Sequence, residues 1–201
     1  MRRLEVLGAV EKRWDGCERC RLAKTRNRVV HWRGNPEARL FVIGEAPGVD
    51  EDREGRPFVG AAGQLLDELF RAAGLKSSED AFIANRLGCR PPANRLPERD
   101  ELRACSQRLS QLLRLVRPKA ILLVGATAGK LAGVNGVLQH RGRELEVEIV
   151  GERESGVWPA FVTYHPSFLL RSGAHSPLYS HFREVVSDIQ RAWAKATEVR
   201  E

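Results

Sequence analysis

Four short apolar runs constrain this chain most: Arg39–Ile43, Ala81–Ala84, Ala120–Val124 and Ala160–Tyr164. Each has strand length and is bounded by Gly, Pro or polar residues, the pattern of strands buried on both faces. Between them apolar residues recur at helical spacing. Ala61–Ala73 carries Leu65, Leu66, Leu69 and Phe70, and Pro97–Val116 carries Leu102, Cys105, Leu109, Leu112, Leu113 and Val116. Tyr179–Ala194 carries Phe182, Val185, Val186, Ile189 and Trp193, and Ala126–Leu131 is a shorter helical stretch. Leu145–Val150 alternates and reads as an extra strand or hairpin arm. Parallel strands need a crossover, usually helical, so the alternation predicts an α/β fold. The expected architecture is a three-layer α/β/α sandwich around a mainly parallel four-stranded sheet.

With 201 residues and no repeat, low-complexity tract or linker, residues 1–201 are expected to form one domain. No run approaches the roughly 18 apolar residues of a membrane span. Residues 1–14 carry Glu5, Glu11, Lys12 and Arg13 where a signal peptide would be apolar. A cytosolic protein with no membrane partner is the expectation.

The chain holds 33 Lys and Arg against 26 Asp and Glu, a net charge of +7. Residues 1–34 hold ten of the bases and four of the acids. A cluster of this kind is either a solvated basic face or a surface for a polyanion.

Cys17 and Cys20 form a C-x-x-C pair, and Cys89 and Cys105 follow with 15 residues between them. In a reducing compartment four cysteines suggest a metal site or free thiols rather than disulfides. The first pair lies in a polar segment with Arg19, Arg21 and Lys24, which favours thiolates. Zinc and an iron–sulfur cluster both remain open. The second pair is spread across Pro91, Pro92 and Pro97 rather than set in a short knuckle, which suits the bulkier cluster.

In open parallel sheets the ligand crevice lies at the carboxyl ends of the strands. There this chain places Gly44-Glu45-Ala46-Pro47-Gly48, Asn85, Gly125-Ala126-Thr127 and His165-Pro166-Ser167. Glu45, Asn85 and His165 are therefore expected to converge. The first loop lacks the Gly-Lys-Ser/Thr of a P-loop and the spacing of a dinucleotide motif, so nucleotide hydrolysis and hydride transfer lose their main support. Phe58, in a Gly- and Pro-flanked loop, is either core or a stacking platform. Glu51 and Asp52 are helix-capping or surface acids. Ser167-Phe168-Leu169-Leu170-Arg171 reads either as a DNA wedge with a phosphate-holding Arg or as a hydrophobic helix start.

Taken together these segments resemble the family 4, iron–sulfur, uracil-DNA glycosylases. The likeness runs from Cys17 to the C-terminal helix. It covers Gly44–Gly48 with Glu51-Asp52, Gly55–Gly60, Gly63–Asp67, Asn85 with Cys89–Pro92, Asn94-Arg95 and Pro97, and His165–Arg171. The resemblance implies a monofunctional glycosylase that flips deoxyuridine out of DNA, hydrolyses its N-glycosidic bond and leaves an abasic site. It implies catalysis by Glu45 and His165, and binding of the base by Gly44, Ala46, Phe58 and Asn85. Ser167, Leu170 and Arg171 would hold DNA. Cys17, Cys20, Cys89 and Cys105 would hold a structural [4Fe-4S] cluster that ties in the basic residues 1–34. A fixed Asn85 amide would accept uracil and leave polar groups unpaired against cytosine, so bonds from neighbouring groups are expected to hold that amide. The family's setting is the bacterial or archaeal cytosol or nucleoid. Its members act as monomers on uracil-containing DNA, alongside other repair proteins.

Three positions depart from the family pattern. Gly88 stands where the family often carries Lys, and Phe168 replaces a common Tyr. Val134–Glu154 is polar and extended, and includes His140 between Gln139 and Arg141. A related branch crosslinks to DNA through a His in a basic insertion, so His140 marks the alternative of a protein that binds or crosslinks uracil-DNA with little turnover. A metal-binding electron carrier unrelated to DNA is the third alternative.

Overall fold

Successive side chains of a strand point to opposite faces, so a strand inside a three-layer sandwich needs apolar residues throughout. The computed structural model describes residues 3–150, 155–171 and 179–199. Its strands, in chain order, are β1 (Trp32–Gly34), β2 (Leu40–Gly44), β3 (Ala81–Asn85), β4 (Ala120–Val124), β5 (Leu145–Val150) and β6 (Ser155–Thr163). They form one sheet in the order β1-β3-β2-β4-β6-β5. The four apolar runs are its parallel centre, and β1 and β5 pair antiparallel at the two edges. The sheet therefore has six strands where four were expected. Leu145–Val150 is the hairpin arm its alternation predicted. Trp32–Gly34 is too short to show a period.

Alternation divides the core in two. Phe41 and Ile43 face one side with Leu109, Leu112 and Leu113 of α5 (Arg99–Val116). Leu40 and Val42 face the other, with Leu66, Leu69 and Phe70 of α3 (Ala61–Ala72) and Val185 and Ile189 of α8 (Tyr179–Thr197). All of these except Leu109 and Leu112 are fully buried, and those two nearly so. Each such side chain contributes about 1.5–3 kcal/mol. Both faces are thus helix-covered, as the alternation required. Among the described residues no helix is long and apolar enough to cross a membrane.

The N-terminal segment contains a helix that its sequence barely announces, α1 (Arg3–Asp15), whose buried residues are Leu7 and Trp14. Trp14 Nε1–H donates to Gln111 Oε1 of α5 at 2.7 Å. Part of the basic charge in residues 1–34 is paired with acids of other segments. Arg3 pairs with Glu37 at 2.7 Å, and Arg21 with Asp100 at 2.7 Å and Glu98 at 3.1 Å. Arg33 is buried and pairs with Asp67 at 2.6 Å. Short helices complete the frame: α2 (Val49–Glu54), α4 (Ser77–Asp80), α6 (Ala126–Gly129) and α7 (Pro166–Arg171). The last of these shows that the segment after His165 starts a helix and is not an open loop. Residues 151–154, the end of the polar Val134–Glu154 stretch, lie outside the described residues.

Candidate active site

A cavity of about 520 Å³ opens at the carboxyl ends of β2, β3 and β4 and beyond β6. Glu45, Ala46, Phe58, Asn85, His165, Ser167 and Arg171 all line it. Gly44 lies directly beneath. A side chain at Gly44 would collide with Asn85 Oδ1 and the Phe58 ring, so only glycine lets those two groups close over the strand end. Leu170 does not line the cavity; it is 47% exposed on the outer side of α7.

Phe58 is buried and has φ +54°, a left-handed conformation that costs a bulky residue about 1–2 kcal/mol. The loop is fixed on both sides of it. Arg33 Nε donates to Pro57 O at 3.0 Å. Glu51 accepts the backbone N–H groups of Val59 and Gly60, each at 2.9 Å, and that of Gly48 at 2.9 Å. Of the two roles open to Glu51, it is the cap. Asp52 is almost wholly buried and accepts from Asn27 N–H at 3.0 Å, which ties the N-terminal segment to α2.

Asn85 is buried as a residue but lines the cavity, and its amide makes no hydrogen bond to another described residue. The neighbouring bonds expected to hold the amide are not seen among the described residues. Asn85 Oδ1 lies close to Gly44, as does the Phe58 ring, and the Asn85 main chain is bonded: Arg108 donates to Asn85 O at 2.6 Å.

His165 sits with its ring stacked towards that of Phe58, centroids 5.9 Å apart at 30°. Ser167 N–H donates to His165 Nδ1 at 3.2 Å, and Ser167 Oγ lies 2.8 Å from the same atom. A nitrogen that accepts a backbone N–H carries no proton, so the hydrogen-bond network assigns the ring proton to Nε2. Arg171 donates to Ser167 Oγ at 3.4 Å and completes a chain running Arg171, Ser167, His165. Burial lowers the imidazole pKa to about 4, helped by the charge of Arg171 and opposed by Glu51. At neutral pH the ring is an uncharged donor.

The Glu45 carboxylate forms no hydrogen bond with any described residue and remains available to water. It lies near Arg86, whose pKa burial lowers and Glu45 raises, and Arg86 donates to Thr127 O across the crevice.

Three of the four cysteines gather at a second place, Cys17 is partly buried outside that cluster, and none is in a disulfide. Cys20, Cys89 and Cys105 share a small apolar cluster with Leu22, Val29 and Leu87. Burial raises the Cys20 thiol, with further contributions from Cys105 and Cys17. Burial pushes the Cys89 thiol up to about 11, against the opposing charges of Arg26 and Arg108. Thiolates there call for a cationic partner. Cys105 Sγ accepts from Gly88 N–H at 3.3 Å and Arg108 Nε at 3.5 Å, and Cys89 Sγ faces Arg26 at 3.8 Å. The bases at the sulfurs are therefore Arg26 and Arg108, not Arg19, Arg21 and Lys24. Arg19 instead reaches Gln107 and the Trp14 ring. Among the described residues, no three His, Cys, Asp or Glu side chains form a group that could hold a single metal ion.

His140 is not brought to the crevice; its Nδ1 meets Gly136 O at 2.9 Å, and neighbouring Arg141 pairs with Asp188 of α8 at 3.2 Å. Phe168 stacks on Tyr164, with centroids 5.2 Å apart. The rim also includes Leu96, 72% exposed and missed by sequence reasoning, its carbonyl held by Arg95 at 3.0 Å. The Arg108 contacts were equally hidden, because charge and position in a helix do not announce burial.

A family model of the Uracil DNA glycosylase superfamily matches residues 31–190. The chain is 37% identical over 196 residues to the Type-4 uracil-DNA glycosylase of Thermotoga maritima, covering 94% of each protein. It is 40% identical over 160 residues to the Type-4 enzyme of Saccharolobus solfataricus, covering 77% of this chain and 72% of that one. A Type-5 uracil-DNA glycosylase of Thermus thermophilus is 38% identical over 87 residues, 37% of this chain and 39% of its own.

Proposed function

The chain belongs to the uracil DNA glycosylase superfamily, and from that premise we propose that it is a monofunctional uracil-DNA glycosylase of base excision repair. It hydrolyses the N-glycosidic bond of deoxyuridine in DNA, releases uracil and leaves an abasic site. The observation that carries this reading is the meeting of Glu45, Phe58, Asn85 and a neutral His165 around one cavity.

The buried N-glycosidic bond of a duplex is out of reach, so the nucleotide is flipped out at a cost of a few kcal/mol. Phe58 stacks on the uracil ring. Asn85 donates to O4 and accepts N3–H, and cytosine, with the reverse pattern, leaves both groups unpaired. As the bond breaks, positive charge grows on the sugar and negative charge on uracil. His165 Nε2–H donates to O2, and a neutral imidazole already aligned by Ser167 and Arg171 needs no reorganisation to do so. Backbone N–H groups of the Gly44–Gly48 loop assist. Glu45 positions the attacking water or stabilises the cationic sugar. Ser167, Leu170 and Arg171 hold the DNA strand, with Leu170 as the exposed apolar wedge.

Cys17, Cys20, Cys89 and Cys105 would hold a [4Fe-4S] cluster. An all-thiol set with N–H donors on its sulfurs and two nearby guanidinium groups suits an anionic thiolate cluster. When bound, the cluster supplies a cross-link between the N-terminal segment and α5 and no chemistry at the crevice. We take residues 1–201 to work as one unit, as a monomer, in the cytosol or nucleoid.

Single-turnover excision on a labelled strand holding one uracil tests the reading. Free uracil with an alkali-labile site is expected, and a denaturing gel should show no shifted protein–DNA band. Absence of uracil release refutes the proposal, and a covalent band would favour the crosslinking alternative.

A further inference from the structure

Arg108 is the largest fully buried side chain in the described protein, 1% exposed, and no described carboxylate forms an ion pair with it. A buried guanidinium without a counter-charge costs several kcal/mol, so its surroundings must offset it. Three acceptors do. Nε faces Cys105 Sγ one helical turn earlier, at 3.5 Å; one terminal nitrogen donates to Asn85 O at 2.6 Å, the other to His31 O at 3.3 Å. Space is kept for it: a Cβ at Gly88 would come within 3.0 Å of Arg108 Nε and 3.2 Å of Val29. A side chain at Gly88 would therefore press on this cation.

Asn85 is the residue whose position must be held most closely, and its amide has no bonded neighbour among the described residues to hold it. The short bond from Arg108 to its carbonyl fixes the main chain from which the amide projects. We propose that Arg108 is a positioning residue, anchored on the Cys105 sulfur, that holds Asn85 at the base-reading face of the crevice. One buried cation then serves both the cysteine centre and the uracil pocket. This rests on the reading that Asn85 binds uracil.

The test uses Arg108→Met, Arg108→Lys, Asn85→Ala and the Arg108→Met/Asn85→Ala pair, all measured well below their melting temperatures. Inhibition by free uracil, affinity for abasic-site DNA and visible cluster absorbance are read on the same samples. Arg108→Met is expected to weaken inhibition by free uracil about tenfold, the scale of one charge-assisted bond, with abasic-DNA affinity and absorbance kept. Arg108→Lys, which keeps the charge but lacks the fork, should recover part of the loss. Once Asn85 is truncated, Arg108→Met should cost no further uracil affinity, since its effect passes through that residue. The proposal is overturned if Arg108→Lys and Arg108→Met both stay within about twofold of the unmodified protein, or if the two losses add. An Arg108→Met protein that does not fold leaves Arg108→Lys, whose uracil inhibition alone then decides. Failure of the unmodified protein to release uracil strikes the proposed function instead, and unchanged uracil inhibition in Asn85→Ala strikes the role of Asn85.

Discussion

The crevice and the cysteine centre meet at the Arg108 guanidinium and are built by opposite rules. In the crevice polar groups are left open: the Asn85 amide has no described partner, the Glu45 carboxylate is free for water, and His165 Nε2 keeps its proton for a ligand. Strain is stored there too, in the left-handed Phe58. At the cysteine centre Cys105 and Cys89 already receive N–H donors and sit among Leu22, Val29 and Leu87. A site that binds and releases must keep its hydrogen bonds unspent, whereas one filled permanently can satisfy its ligands from the protein side. Perturbing the first should therefore change rate at constant stability, and perturbing the second should do the reverse.

The largest expected effect is on the crevice. Asn85→Asp places a carboxylate against uracil O4 and should lower single-turnover excision by about a thousandfold or more, with little shift in melting temperature. A rate within about tenfold of the unmodified protein would remove Asn85 from the pocket.

Cys17→Ala attacks the other region. It should abolish visible cluster absorbance and cost several kcal/mol of stability, because ligand binding energy is folding energy in such a site. A protein that kept both its absorbance and its melting temperature would contradict the four-cysteine assignment.

Glu51→Gln blurs the boundary between the two. Its new NH₂ group must face one of the three backbone N–H groups that Glu51 now accepts. A loss of about 2 kcal/mol in stability is expected, together with slower excision as the Phe58 loop loosens. Calorimetry and the excision assay on one preparation separate the two losses, and an unchanged rate would show that the loop needs no such support.

At neutral pH the effect to be read last is one that only acid reveals. His165 has its pKa depressed from 6.5 to about 4 by burial. Between those values the unfolded chain binds a proton that the folded chain does not. This contribution to stability is therefore full above 6.5 and is lost as pH falls through about 4. The acid limb of kcat/KM should accordingly lie near 4; a limb near 6.5 would mean that His165 is solvated.

Much of this was legible in the chain. Phe41 and Ile43 alternate with Leu40 and Val42 in a run too apolar to face water on either side, and such a run demands a strand covered on both faces. The rule that parallel strands carry their ligands at the carboxyl ends then put Glu45, Asn85 and His165 together. Helix α1 and strand β1 escaped because α1 buries only Leu7 and Trp14, and three residues cannot show a period.

Sequence alone determined the layers, the parallel centre and the residue types at the strand ends, because those follow from local periodicity and from the hand of the crossovers. Tertiary structure decided which charges are buried and what they face. Arg108 and Arg114 read alike in helix α5, yet the first lies against a sulfur and a carbonyl at 1% exposure. It decided likewise that Arg3, Arg21 and Arg33 pair with acids of other segments, and that His165 is neutral. Burial and hydrogen-bond partners are properties of distant residues brought together, and no local pattern records them.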